Sequence, residues 1–258
     1  MSILEESFTR HEPHPTTQER HTMSEARPTA LVIAGSSGIG AASARALAAR
    51  GHRVAVLARG EGADVLAEEL GGLAVRGDYT EAGVVEGVVD RVLSAWGRLD
   101  VLVNSAGHGP KGKLEELTDE DWAAGFDLYF YNVVRACRAA LAPMRAQGGG
   151  SIVNISSASP SEPSPRFPTS MVARAAMTTW TKLWADEVAA DGIRINNVLP
   201  GYTVADPEAV PAAWTSAIPL GRAAAYEEVA RTVAHLACDA TYTTGQNVRV
   251  DGGLTRAV

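Results

Sequence analysis

Short runs of β-branched and other apolar residues alternate with longer segments of helical periodicity from residue 29 onward. Strands are predicted at 30–34, 53–58, 73–77, 99–104, 151–156, 194–199 and 246–250. Helices are predicted at 38–50, 62–70, 80–96, 118–147, 170–190 and 226–238. Strands such as Val101-Leu102-Val103 are apolar throughout, as in a sheet covered on both faces. The pattern predicts an α/β fold with a doubly wound, parallel, seven-stranded sheet and helices on both faces.

The composition excludes several classes of protein. The 258 residues are 46% hydrophobic and 21% charged, unlike a disordered, collagen-like or disulfide-stapled chain. The net charge of −7 provides no general attraction for nucleic acid. Cys137 and Cys238 lack metal-ligand spacing, so we expect reduced thiols and no metal site. We find neither a membrane span nor a signal peptide, which predicts a cytoplasmic protein without a membrane partner.

The start of the chain differs from the rest. Residues 1–28 are rich in Glu, His, Thr, Arg and Pro, which predicts a disordered tail. Met23 opens a run that resembles the start of a domain, so we interpret residues 1–22 as an extension that precedes it. Because no repeat or internal linker follows, a single domain is predicted for residues 29–258.

A glycine-rich turn lies between the first predicted strand and the first predicted helix. Its residues are Gly35, Ser36, Ser37, Gly38, Ile39 and Gly40. Backbone N–H groups at such a helix N-terminus attract phosphate, and the glycines let the backbone approach it closely. Strand, turn, helix and second strand fall within about 30 residues, which predicts a Rossmann fold that binds a dinucleotide.

The end of the second predicted strand indicates which dinucleotide is preferred. NAD-binding folds carry an Asp or Glu there for the ribose hydroxyls, whereas this chain has Ala58 and Arg59. Arg59 offers a cation to a 2′-phosphate, although the carboxylate of Glu61 is close in sequence. We therefore predict NADP(H) as the cofactor, in preference to NAD(H).

Seven motifs follow one another along the chain. They are GSSGIG at 35–40, GDYT at 77–80, NSAG at 104–107, GSIVNISS at 150–157, GIRINNVLPG at 192–201, PLGR at 219–222 and TGQNVRVDGG at 244–253. With these motifs the chain resembles the classical short-chain dehydrogenase/reductase family over nearly all of residues 29–258. The resemblance implies a further set of cofactor-binding residues. They are Asp78, Tyr79, Asn104, Ala106, Gly107, Arg174, Pro200, Gly201 and Thr203.

The resemblance also locates the catalytic positions, most of which are changed. The family's serine is kept as Ser157, but Ser170 replaces its tyrosine and Arg174 its lysine. Tyr129 occupies the position of its asparagine. A serine hydroxyl is far too weak an acid to replace a phenol, whose pKa is about 10. Arg174 keeps a cation that can hold the ribose or a phosphate, but it cannot relay protons.

Tyr129 is one candidate for the missing hydroxyl, provided that its ring points into the cleft and lies close to Arg174. The alternative is that Tyr129 packs beside Phe126, Phe130 and Tyr131, because aromatic stripes on a helix usually serve packing. Both interpretations remain open from the sequence.

The glycine-rich turn departs from the family at its first positions. Ile33 and Ala34 stand where the family has Thr-Gly. An alanine adds a Cβ where the backbone needs a positive φ, so we expect weaker cofactor binding.

The substrate side is predicted to include a rigid loop, because residues 158–169 contain four prolines. Four side chains are predicted to wall the substrate pocket: His108, Phe167, Tyr202 and Trp214. Tyr202 is a second candidate for the proton donor, and His108 is a candidate base.

The resemblance implies that helices 118–147 and 170–190 form subunit contacts. The second helix carries Met177, Trp180, Leu183 and Trp184 at helical spacing, which favours a homodimer or homotetramer.

Three functions fit the sequence: an NADP(H)-dependent oxidoreductase acting on a small carbonyl or alcohol, a non-redox dehydratase, isomerase or cyclase, and an inactive NADP(H) sensor.

Overall fold

The structure is a computed structural model that describes residues 27–158 and 162–257. The predicted disordered tail therefore lies outside the described residues, except for its last two. The carbonyl oxygen of Pro28 accepts a hydrogen bond from the amide of Arg53 at 2.8 Å. The folded domain thus includes at least this last residue of the predicted tail.

Seven parallel strands form one sheet, and two short strands pair separately. The strands are β1 (Thr29–Ile33), β2 (Arg53–Ala58), β3 (Leu73–Arg76), β4 (Val101–Asn104), β5 (Gly150–Ile155), β6 (Ile193–Pro200), β7 (Thr203–Val204), β8 (Ala224–Ala225) and β9 (Asn247–Val250). The order in the large sheet is β3-β2-β1-β4-β5-β6-β9. The direction of winding reverses between β1 and β4, which opens a crevice at their carboxyl ends. The predicted doubly wound fold is confirmed.

Helices cover both faces of the sheet. They are α1 (Gly38–Ala49), α2 (Gly62–Leu70), α3 (Val84–Trp96), α4 (Asp119–Phe126), α5 (Asn132–Ala146), α6 (Pro168–Val188), α7 (Ala212–Thr215) and α8 (Tyr226–Cys238). Helices α3, α5 and α6 pack on the face that contains Leu31 and Leu102. Helices α1, α2 and α8 pack on the face that contains Val32 and Val103. Successive strand residues point to opposite faces, which is why these strands are apolar throughout.

The long helix predicted at 118–147 is interrupted near its middle. Thr118 caps α4, because its hydroxyl accepts a hydrogen bond from the amide of Asp121 at 3.2 Å. Asp127–Tyr131 then form a π-helical turn, in which Tyr129 is the buried residue. A π turn inserts an extra residue and is frequent at functional sites, and no helical periodicity in the sequence reveals it.

Other boundaries differ by a few residues. The helix predicted at 170–190 begins at Pro168, because proline suits the first turn of a helix. The short elements β7, α7 and β8 lie in a segment for which the sequence shows no clear periodicity. None of the helices in the described residues has the length and apolar character needed to cross a membrane.

A row of asparagines crosses four strands of the sheet. Asn104, Asn154, Asn197 and Asn247 are successive register partners on β4, β5, β6 and β9. Each donates from Nδ2 to the Oδ1 of the next, at 2.8, 3.0 and 2.8 Å. Thr181 of α6 joins the row by donating to Asn197 at 3.0 Å. This asparagine ladder links the strands whose ends border the crevice.

Candidate functional site

The turn at residues 34–40 lies at the carboxyl end of β1. A Cβ atom on Gly40 would lie 2.7 Å from the carbonyl oxygen of Ala34, so the turn requires a glycine there. Gly38 begins α1 with a φ of +54°. Ser37, the N-cap residue, makes no side-chain hydrogen bond to the helix. The first amides of α1 therefore remain available to a phosphate, as does the positive end of its dipole.

Ala34 is strained within this turn. Its φ is +52°, and it is the only non-glycine residue with a positive φ in the part of the chain that the structure describes. An L-residue in this conformation costs about 1–2 kcal/mol.

The loop that follows β4 is attached to the end of β1, because the amide of Ser105 donates to the carbonyl oxygen of Ile33 at 3.2 Å.

Arg59 lies exposed beside the turn, at the end of β2. Its side chain retains 76% of its exposure, and Nη1 lies 3.8 Å from a carboxylate oxygen of Asp78. The other oxygen of Asp78 accepts from the amide and hydroxyl of Thr80 at 2.9 and 2.7 Å. Hydrogen bonding to Thr80, chiefly to its amide, lowers the pKa of Asp78. The region next to the phosphate turn thus presents an exposed, loosely paired cation.

Two buried tyrosines hold the loop that follows β4. Tyr79 accepts a hydrogen bond from the amide of Gly107 at 3.2 Å, and burial raises the pKa of Tyr79. Tyr129 accepts one from the amide of Gly109 at 2.5 Å. Ala106 lies between these anchored positions and Asn104 at the end of the strand. The loop therefore has a defined path along the crevice.

The altered catalytic positions meet around Arg174 in the first turns of α6. Its Nε donates to the hydroxyl of Ser170 at 3.1 Å, and its Nη1 donates to the carbonyl oxygen of Ile155 at 2.6 Å. Its Cζ lies 4.7 Å from the centre of the Tyr129 ring. Burial lowers the pKa of Arg174, yet an arginine remains protonated. Ser157 is half-buried two residues beyond Ile155.

Tyr129 is separate from the aromatic side chains that neighbour it in sequence. The aromatic cluster consists of Phe126, Phe130, Tyr131, Trp180 and Trp184, with neighbouring ring centres 4.5–6.4 Å apart. The ring of Tyr129 instead contacts Arg174 and the loop at Gly109. The π turn thus directs Tyr129 toward the strand ends and its neighbours toward α6.

Two of the predicted substrate residues, Phe167 and Tyr202, lie in segments that side-chain contacts join at the rim. The Nζ of Lys111 lies 5.0 Å from the centre of the Phe167 ring. The hydroxyl of Tyr202 accepts from Nη1 of Arg166 at 3.3 Å. Because Arg166 precedes Phe167, these contacts join three segments: the loop after β4, the loop before α6 and the segment after β6.

The other predicted substrate residues are more exposed. His108 lies on the surface of the loop after β4, and Trp214 of α7 retains 66% of its exposure. The sequence analysis missed Lys111 and Arg166. The available signal was weak: each is a surface cation in a segment already predicted to border the substrate.

The residues present fit a nicotinamide dinucleotide. Beyond the phosphate turn, buried Oδ1 of Asn104 and buried Oγ of Ser156 have no hydrogen-bond partner among the described residues. These polar atoms lie at the ends of adjacent strands, β4 and β5. At the end of β6, a Cβ on Gly201 would lie 2.8 Å from Asp251, and Thr203 donates to the Gly201 carbonyl at 3.2 Å.

The neighbouring Pro200 is held as well, because its carbonyl oxygen accepts from the amide of Ala158 at 2.9 Å. This bond connects the end of β6 to the segment that follows Ser157. Within the described residues, no group of three His, Cys, Asp or Glu side chains has a geometry suited to a metal ion.

Comparisons with known proteins agree with this geometry. The profile of the enoyl-(acyl carrier protein) reductase family matches residues 33–255. The chain is 39% identical over 242 residues to cis-4-hydroxycyclohexanecarboxylate dehydrogenase of Sinomonas cyclohexanicum, a match that covers 89% of this chain and 97% of that protein.

Solved structures show the same similarity. Acetoin dehydrogenase from Enterobacter cloacae aligns with a TM-score of 0.84 at 32% identity, over 91% of this chain and 98% of that one. YwfH, an NADPH-dependent reductase involved in bacilysin biosynthesis, aligns with a TM-score of 0.85 at 26% identity, over 90% of this chain and 100% of that one. The strand order, the glycine turn and these matches together show that the chain is an oxidoreductase of the short-chain dehydrogenase/reductase family.

Proposed function

We propose that this protein is an NADP(H)-dependent oxidoreductase that interconverts a small ketone and the corresponding secondary alcohol. The observation that carries the proposal is the phosphate turn at residues 34–40, which opens onto free helix amides beside the exposed cation of Arg59. Relatives named for dehydrogenation of a cyclic alcohol and for NADPH-dependent reduction support this reaction class.

The cofactor would lie along the carboxyl ends of β1, β4 and β5. The amides of Gly38, Ile39 and Gly40 would hold the pyrophosphate, and Arg59 would pair with the 2′-phosphate. One Nη2–H group of Arg174 would donate to the nicotinamide ribose. When bound, NADP(H) supplies or accepts the hydride.

Tyr129 is the proposed donor of the proton that the substrate oxygen gains. Its oxygen is held by the amide of Gly109, and its own proton has no acceptor among the described residues. Arg174 places a positive charge against the ring, with its Cζ 4.7 Å from the ring centre, where it would stabilise negative charge that develops in the transition state. Ser170 already accepts from Arg174 and is a much weaker acid than a phenol.

In the reducing direction, the substrate carbonyl carbon gains the hydride and the carbonyl oxygen gains the proton of Tyr129. The product is a secondary alcohol, and Tyr129 is left as a phenolate. The amide of Gly109 and the guanidinium of Arg174 stabilise that negative charge until solvent returns the proton. Ser157 orients the carbonyl by donating a hydrogen bond to its oxygen.

The cofactor assignment is tested by calorimetric titration with NADPH and NADH. We expect micromolar binding of NADPH and NADH binding weaker by about tenfold or more, because only NADPH carries the phosphate that Arg59 pairs with. Arg59→Gln should remove this preference. Arg76→Gln is the matched control, because Arg76 is a nearby exposed arginine already paired with Asp64 at 2.6 Å. If neither nucleotide binds, the oxidoreductase proposal is wrong.

The proton donor is tested with the first ketone that the enzyme reduces. Tyr129→Phe should lower kcat/KM by about 100-fold or more, which is typical for loss of a general acid. Tyr131→Phe, two residues away and largely exposed, should have little effect. Calorimetry should show unchanged NADPH binding in both variants. A large loss in Ser170→Ala with none in Tyr129→Phe would reassign the proton to Ser170.

The protein is also proposed to be a homodimer or homotetramer. Tyr131 is an exposed member of the aromatic cluster, and Leu183 is exposed on α6, the helix that carries Trp180 and Trp184 of that cluster. A concavity of about 710 Å³ lies on the same side and is lined by Trp122, Phe126 and Tyr131, among others. An apolar surface of this kind favours association with a second copy.

A further inference from the structure

Arg174 is a buried charge without a counter-charge in the described part of the chain. It retains 8% of its exposure, and no carboxylate lies within ion-pair distance of it among the described residues. Its protein contacts are a hydroxyl, one carbonyl oxygen and the face of an aromatic ring. Burial of an ion is costly unless an opposite charge and further hydrogen bonds compensate it.

The guanidinium also has unused donors. Of its five N–H groups, Nε–H is bonded to Ser170 and one Nη1–H is bonded to Ile155. The second Nη1–H and both Nη2–H groups have no partner in the described part of the chain. One free N–H on each terminal nitrogen forms a fork that can donate to the two oxygens of a carboxylate.

Arg194, a half-buried arginine, shows how this fold satisfies a guanidinium by contacts within the protein. Its guanidinium donates to several carbonyl oxygens at the carboxyl end of α8, including those of Leu236, Ala237 and Ala240, at 2.7–3.0 Å. The negative end of the helix dipole adds to that compensation. Among the described residues, the guanidinium of Arg174 donates to one carbonyl oxygen and does not contact the carboxyl end of a helix. Its charge is therefore compensated less than that of Arg194.

The cofactor proposed above does not supply the missing charge. The phosphate turn lies at the end of β1, whereas Arg174 bonds to the end of β5, and β4 lies between them. At about 4.8 Å per strand, the two places are separated by about 10 Å. The nicotinamide ribose offers only neutral hydroxyl groups.

Two further cations, which have no carboxylate partner among the described residues, lie in the segments that carry the predicted substrate residues. Lys111 rests on Phe167, and Arg166 donates to Tyr202. Neither has an ion pair among the described residues, although the chain as a whole is acidic, with a net charge of −7. Lys111 follows Gly109 by two residues, and the amide of Gly109 donates to Tyr129, whose ring contacts Arg174.

We infer that the substrate of this enzyme is a small organic acid whose carboxylate pairs with the guanidinium of Arg174. Lys111 and Arg166 attract the acid to the cleft, and Arg174 binds it there. A single negative charge matches the single buried positive charge, whereas a phosphate dianion would exceed it. The inference rests on the proposed oxidoreductase function, since it places the acid beside the reacting carbonyl.

The test measures binding, so it needs no knowledge of the substrate. Acetate, benzoate and cyclohexanecarboxylate, each paired with its neutral carboxamide, are titrated calorimetrically into the protein with and without NADPH. We expect at least one acid to bind clearly more tightly than its amide. Arg174→Gln should weaken the binding of that acid on the order of 10-fold to 100-fold, the usual range for loss of a charged hydrogen bond. Arg174→Lys should recover part of the affinity.

Arg194→Gln is the matched control and should leave acid binding unchanged. Urea unfolding of each variant verifies that it is folded at the temperature of the titration. If Arg174→Gln is not folded, Arg174→Lys takes its place as the test variant. Equal binding of every acid and its amide would overturn the inference, as would acid binding that survives the loss of Arg174. Acid binding that depends on Arg174 without NADPH binding would contradict the proposed function instead.

Discussion

Ala34 adopts the left-handed backbone conformation that glycine adopts without strain. Ala34→Gly should raise the free energy of unfolding by about 0.5–1 kcal/mol, because relief of the strain exceeds the added chain entropy of glycine. Urea unfolding measures the change. Ala46→Gly, the same substitution at a regular position within α1, should instead lose about 1 kcal/mol. A loss of similar size at both positions would show that Ala34 is not strained.

His52 is a buried residue that makes stability depend on pH. Burial lowers the pKa of His52, and its Nδ1 has no hydrogen-bond partner among the described residues. The unfolded chain therefore binds a proton at a higher pH than the folded protein does. Its contribution to stability is complete above about pH 6.5 and is lost as the pH falls toward the folded pKa.

Replacement of His52 by glutamine should reduce this loss. Between pH 7.5 and 5.5, the free energy of unfolding should fall less in His52→Gln than in the unmodified protein. The difference should reach at most about 1.4 kcal/mol for each pH unit that separates the folded and unfolded pKa values of His52. Chemical denaturation at each pH provides the measurement. His108→Gln, at an exposed histidine, should keep the original dependence, and parallel pH profiles for all three proteins would contradict the assignment.

At the scale of elements, the asparagine ladder joins four strands by their side chains. Asn154 is fully buried and bonds to Asn104, Asn197 and Thr181. Asn154→Ala should lower the free energy of unfolding by about 3 kcal/mol or more, because it leaves several buried polar groups unpartnered. Asn247→Ala, at the exposed end of the ladder, should cost less than about 1 kcal/mol, since water can replace the lost bond.

The free energy of unfolding of both variants, measured by denaturation with guanidinium chloride, decides between a connected ladder and independent polar pairs. Equal losses at the centre and at the end would argue against a connected ladder. The ladder was not predicted, although an asparagine near each strand end is visible in the sequence. Only the register of the strands shows that the four side chains share one row.

At the scale of the whole molecule, the proposed assembly would use the apolar surface over α5 and α6. Leu183→Glu should convert the proposed oligomer to monomers, because a carboxylate cannot be buried in an apolar contact without a partner. Val65→Glu is the matched control: Val65 and Leu183 are both 66% exposed, and Val65 lies on α2 across the sheet. Light scattering after gel filtration measures the mass. A mass that is unchanged in Leu183→Glu would place the contact elsewhere.

The fold and the phosphate turn could be predicted from the sequence, because both follow from local patterns. Strand and helix periodicity, together with Gly35, Gly38 and Gly40, are sufficient for a doubly wound sheet with a dinucleotide turn. The strain at Ala34 was predicted in the same way, because a single position in a known turn determines the required φ.

Only the tertiary structure shows which groups surround the altered catalytic positions. The direction of Tyr129 depends on the π turn, and an inserted residue of that kind leaves no periodic signal. The separation of Arg174 from every carboxylate among the described residues depends on which segments, distant in sequence, pack around it. Local patterns determine elements, whereas the charge and contacts of a buried side chain are set by packing between elements.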